Sequence, residues 1–114
     1  MTPRVRLIQP MKAYLYKEDG SREAVEPAKP EEGFTLRRLR GFVKGPIEFV
    51  PVNPYGGDDT SEPMILVVNE EGRLRDMAAN PMASQLTHIH IQGNALYCPA
   101  EWVAHLHAQI SGLD

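Results

Sequence analysis

Four groups of side chains in this sequence are of types that do chemistry. His88 and His90 flank Ile89. In an extended chain residues i and i+2 project from one face, which is the spacing of a two-histidine metal pair. His105, His107 or a carboxylate would supply the third ligand. At 100° per residue, however, His105 and His107 stand about 200° apart on a helix and do not converge on one ion. Neither an HExxH pattern nor a cysteine pair accompanies them. The plainer account is an alternating strand with His88 and His90 in solvent and Ile89 and Ile91 turned inward, so no metal is expected. Glu70 and Glu71 are a second candidate, as general acid and base or as cation ligands. Neighbours in a tight turn diverge, and the expected role is a solvated turn. With Asn69 and Asn80 they would still offer donors and acceptors to a partner or a small polar ligand. Third, Arg37, Arg38, Arg40 and Lys44 place four of the twelve basic residues within eight positions. Arg37, Arg40 and Lys44 share a helix face suited to phosphate groups, although an amphipathic helix needs a solvated side in any case. Last, Cys98 precedes Pro99 at an expected helix start, where the dipole can lower a thiol pKa. Without an orienting His–Asp arrangement, burial is the expected fate of that thiol. Gly56-Gly57 lacks the lysine and hydroxyl of a phosphate loop, and no GxSxG or dinucleotide fingerprint occurs. No catalytic residue and no cofactor are expected.

The elements that must position these groups start from residues 64–68. Met64-Ile65-Leu66-Val67-Val68 is too short for an ordinary helix and apolar on both faces, which predicts a central strand. Asn69 can start a type I turn, and Gly72 can take the positive φ that closes a four-residue hairpin loop. Glu70 and Glu71 then stand at an exposed tip, and residues 73–77 extend a returning strand. Upstream, residues 11–17 alternate, with Ala13 and Leu15 on one face, and Asp19-Gly20-Ser21 is a hairpin turn leading into a return strand over 22–25. Residues 26–33 are a loop. Thr35 is an N-cap, Leu36, Leu39 and Val43 follow at helical spacing, and Gly45-Pro46 ends a helix over 35–44. Residues 46–52 alternate, with Ile47, Phe49 and Pro51 opposed to Glu48, Val50 and Val52. The 53–63 segment is a mobile connection in a long-looped antiparallel hairpin. Asn80-Pro81 caps a short helix over 81–86 that buries Met82 and Leu86. Residues 87–98 return to strand, with a break at Gly93-Asn94. Pro99 opens a last helix with Trp102, Val103, Leu106 and Ile110 in one apolar stripe.

Several of these stretches resemble a known family. Residues 41–52, Gly-Phe-Val-Lys-Gly-Pro-Ile-Glu-Phe-Val-Pro-Val, resemble the glycine-glycine-x-isoleucine-glutamate block of the domain of unknown function 3846 family. Asn69-Glu70-Glu71-Gly72-Arg73-Leu74 is similar to its Asn-Glu-Glu-Gly-Lys-Leu signature. Asn80-Pro81-Met82-Ala83 matches its Asn-x-x-Ala segment, and residues 91–96 its final glycine-centred strand. The resemblance covers residues 35–98. Lys44 and Pro46 stand where the family more often has glycine and tyrosine. The resemblance implies a phage, plasmid or bacterial-host setting and carries no residue roles with it.

Length and composition bound the rest. With 114 residues and 42% hydrophobic content the chain suits one domain with a single modest core. The division is a family-like core over about 35–98 and a C-terminal helix over 99–112. Fifteen acidic against twelve basic residues give a net charge of −3, which favours neither nucleic acid nor anionic lipid. One cysteine excludes an intrachain disulfide and fits a reducing compartment. No secretory leader or membrane span is expected. The expected fold is α+β: a mainly antiparallel sheet of four to six strands with two or three short helices on one face. The expected function is that of a cytoplasmic, non-enzymatic binding protein of a mobile element or its host. It would bind a host protein or sequester a small anionic ligand such as a nucleotide, in a counter-defence role. The rival readings are a nucleic-acid-binding accessory using residues 37–44 and a metal-dependent enzyme using His88 and His90. A homo-oligomer through the Trp102 helix is a further expectation.

Overall fold

The computed structural model describes residues 12–52 and 63–106. Five antiparallel strands form one sheet in the order β2-β1-β5-β4-β3. In chain order these are β1 (Ala13–Tyr16), β2 (Arg22–Val25), β3 (Ile47–Pro51), β4 (Met64–Asn69) and β5 (Ala95–Pro99). Helix α1 (Leu36–Val43) separates β2 from β3, and α2 (Pro81–Thr87) separates β4 from β5. The α+β class and the antiparallel sheet are as the sequence leads one to expect.

Local chemistry explains most of the boundaries. In the β1–β2 turn, Asp19 Oδ1 accepts from the Ser21 amide at 2.8 Å and from the Ser21 hydroxyl at 2.6 Å. Those bonds hold its carboxyl below the usual carboxylate range. Gly20 supplies the positive φ of the turn. Thr35 caps α1 by accepting from the Arg38 amide at 3.1 Å. The helix ends on Lys44, whose φ of 66° is left-handed. Glycine is the usual residue at such a position.

Register divides the side chains between two faces. Ile47 opposes Asn69, Phe49 opposes Val67, and Val67 opposes Leu96. This face meets α1 through Leu39 and Val43, and Phe34, Trp102, Val103 and Leu106 join it in one core cluster. Trp102 packs edge-on against Phe34, with ring centroids 5.7 Å apart. On the opposite face Val50, Leu66, Val68 and Ala95 pack with Ala83 of α2 and with Ile91. The short helices therefore lie on both faces of the sheet, α1 on one and α2 on the other.

Three expected elements take other forms. Residues 70–76 are consecutive turns with no returning strand. The positive φ falls on Asp76, at 55°, and not on Gly72. Strand pairing near the C-terminus begins only at Ala95; residues 81–87 are helical, His88 closes α2 in the left-handed region, and Gln92 makes one isolated bridge to Ala79. Pro99 ends β5 instead of opening a helix. Two 3-10 turns follow, Ala100–Trp102 and Ala104–Leu106, and place Trp102, Val103 and Leu106 in the core. Trp102 is only 4% exposed and packs into the core. Ile110, His107 and the connection over 53–62 lie outside the described residues.

Candidate functional site

The end of the β3–β4 hairpin, the 70–76 bend and the segment after α2 enclose a cleft of about 310 Å³. Its floor is apolar: Val50 and Val68, diagonal neighbours on one face of the β3–β4 ladder, with Ile91 in the same core cluster. Glu48 and Glu70 stand on the sheet side. Glu48 opposes Val68, and Glu70 lies two residues further along the same strand direction, with its amide bonded to the Pro46 carbonyl at 2.8 Å. Arg73, Ile89 and His90 stand on the other side, and the Arg73 guanidinium leans toward the His90 carbonyl at 3.5 Å. Neither Glu48 nor Glu70 is ion-paired among the described residues.

A set of small polar side chains holds the second wall in place. Asn80 accepts from the Ala83 amide at 3.2 Å, the N-cap bond of α2, while its Nδ2 donates to the carbonyls of Tyr16 at 3.0 Å and Gly93 at 2.8 Å. Ser84 Oγ donates to the Asn80 carbonyl and accepts from the Ile91 amide at 2.8 Å. Thr87 Oγ1 donates to the Ala83 carbonyl at 3.2 Å and accepts from the Ile89 amide at 3.2 Å. Gln92 Nε2 donates to the Met77 carbonyl at 2.7 Å. The chain from 88 to 92 is thereby folded back over the sheet, and Ile91 is carried onto the floor. Gly72 fits beneath it: a Cβ there would lie 2.7 Å from the Gln92 carbonyl oxygen. Glycine is required at 72 for close approach and not for its φ.

The residues singled out from sequence fare differently. Asn69 is buried, at 4% exposure; its Nδ2 donates to the Val43 carbonyl at 2.9 Å and its Oδ1 accepts from the Glu71 amide at 2.6 Å. It ties α1 to the bend and also contributes to the lining of the cleft. Asn80, at 1% exposure, is likewise spent on the fold, with both amide hydrogens donated to backbone carbonyls. Glu71 pairs with Arg75 at 2.9 Å. Of the four polar residues expected at the recognition surface, Asn69 and Glu70 line the cleft, while Glu71 and Asn80 do not. Arg37, Arg40 and Lys44 are exposed along α1 without ion pairs among the described residues, and they form a separate surface. Arg38 lies over the rings of Phe34 and Phe42 and donates to the Glu26 carbonyl at 2.6 Å.

The histidine pair is not a strand pair. His88 is the left-handed cap of α2 and His90 sits in irregular chain, so the alternation that would aim both rings one way is missing. Ile89, expected in the core, is 47% exposed, and Met82 is 45% exposed on the outer side of α2, where Ala83 and Thr87 are buried instead. Among the described residues no three histidine, cysteine or acidic side chains are grouped to hold a metal ion. His105 is engaged elsewhere, with a ring nitrogen 2.9 Å from the Phe34 carbonyl. Burial pushes the Cys98 thiol up to about 12, the opposite of an activated nucleophile. Sequence reasoning missed Glu48 and Arg73 as site residues. Glu48 was legible as one of the outward positions of an alternating strand, but nothing local said that a loop would wall it in.

No helix among the described residues is long and apolar enough to cross a membrane. Comparison with family models, curated proteins and solved structures gave no match.

Proposed function

We propose that this chain is a small binding protein that acts without catalysis, recognising a protein partner or a small polar ligand at the cleft between the β3–β4 end and residues 89–92. The observation that carries the reading is the cleft itself: an apolar floor, two rim carboxylates with no ion pair among the described residues, and walls fixed by buried hydrogen bonds. That combination is what a preformed recognition site requires. The volume, about 310 Å³, is at the small end for ligand sites. Support for a mobile-element or host setting, and for a counter-defence role, comes from the family resemblance of residues 35–98. An NMR screen of small polar fragments tests the site. The expected result is a cluster of hits that move the amides of Val68, Gly72, Ile91 and Gln92; hits confined to other surfaces, or none, would contradict it.

A second reading is favoured by Arg37, Arg40 and Lys44, three exposed cations along α1 and its C-cap with no ion pair among the described residues. Two of them lie at its C-terminal end, where cations suit the helix dipole. A nucleotide or other anion, or a nucleic-acid backbone, would be taken there and not in the cleft, whose sheet wall carries Glu48 and Glu70. Such binding weakens steeply with salt. Absence of any gel shift or nucleotide heat at low ionic strength would remove it.

A further inference from the structure

The cleft is polarised. Its sheet side bears two carboxylates, Glu48 and Glu70, and its other side bears Arg73, whose guanidinium lies 3.5 Å from the His90 carbonyl oxygen. Between them lies the floor of Val50, Val68 and Ile91, which is buried against the body of the protein but faces the cavity. An isolated anion would meet two negative side chains, and an isolated cation would meet Arg73. A ligand carrying both charges, separated by a short apolar body, satisfies both walls and covers the floor.

We propose, on the basis of the binding reading above, that the cleft takes a small zwitterion of the α-amino acid type. Its ammonium group sits between Glu48 and Glu70, its carboxylate faces Arg73, and an aliphatic side chain lies on the floor. The size of the cavity suits one such residue and not a nucleotide with its base, sugar and phosphates. The geometry also assigns a specificity element. Gly72 keeps the bend against the Gln92 carbonyl, so the distance between the two charged walls is set by backbone contact and does not adjust to larger ligands.

The test is a set of ¹⁵N chemical-shift titrations of the whole chain with three probes: L-leucine, N-acetyl-L-leucine, which lacks the ammonium, and L-leucinamide, which lacks the carboxylate. Leucine is expected to move the amides of Val68, Gly72, Ile91 and Gln92 saturably, with each capped probe about tenfold weaker, a difference of about 1.4 kcal/mol. In the E48Q/E70Q variant leucine should fall to the level of N-acetyl-leucine, and in R73Q to that of leucinamide. These are surface side chains, so a dispersed spectrum will show that the variants remain folded. Equal binding of all three probes, or of leucine by the variants, overturns the zwitterion while leaving the cleft as a binding site. Cleft shifts with screened fragments but none with leucine overturn the ligand class alone. Silence of the cleft toward leucine and fragments alike overturns both readings.

Discussion

Asn80 shows how much of this molecule depends on single amides. It satisfies an N-cap amide and two carbonyls from different strands and loops, all out of solvent. Asn80→Ala removes the cap and strands two buried acceptors, so a loss of about 2–4 kcal/mol is expected in denaturant unfolding. Asn80→Asp should not rescue it, because a carboxylate cannot donate to Tyr16 and Gly93. At Lys44 the expectation has the other sign. A left-handed lysine carries a steric cost of roughly 1 kcal/mol that glycine avoids, so Lys44→Gly should raise stability by up to about 1 kcal/mol while removing one cation of the α1 surface. Cys98 makes a pH statement. Its thiol is raised to about 12 by burial, so folding favours the neutral form. That contribution is complete below the ordinary thiol pKa and is lost as pH rises toward 12. At mildly alkaline pH a thiol reagent should therefore leave Cys98 untouched until denaturant is added. Prompt reaction of the native protein would contradict its burial.

At the scale of elements, what the sequence made legible were strands and turns defined by short-range chemistry. The alternation of residues 46–52, the apolar run over 64–68, the Asp19-Gly20-Ser21 turn and the Thr35 and Asn80 caps are all where local physics places them. The segment from 87 to 93 was not legible. Its His-Ile-His-Ile alternation has strand period, but Thr87 and Ser84 capture the Ile89 and Ile91 amides before any ladder can. Such side chain–backbone bonds leave no mark on hydrophobic periodicity. The 3-10 turns were missed for a related reason: the Trp102, Val103 and Leu106 spacing fits several helical pitches, and burial against Phe34 decides among them. Trp102→Ala should accordingly cost about 3–5 kcal/mol, as a core truncation does, with no change in oligomeric state by light scattering. Gly72→Ala tests the bend. Forcing a Cβ toward the Gln92 carbonyl should cost about 1–3 kcal/mol and disturb the amides of residues 91–93 first.

For the molecule as a whole, the sheet has one face sealed by α1, Phe34 and Trp102 and another on which α2 and Ile91 stop short of the β3–β4 end. The uncovered end is the cleft. The sequence pointed to its neighbourhood through Glu70 and the apolar strand before it, but half of the site comes from Glu48, Arg73 and residues 89–91, which only tertiary folding brings together. Both asparagines tie the surrounding backbone together, and Asn69 also lines the cleft. Crystals of the chain soaked with small polar fragments and with leucine would show whether the cleft is a binding site. The expected result is difference density lying on Val50, Val68 and Ile91, with polar atoms within hydrogen-bonding reach of Glu48, Glu70 or Arg73. A cleft that stays filled with solvent while the same compounds bind elsewhere, or Ile91 lifted away from Val68 to leave no cavity, would contradict it.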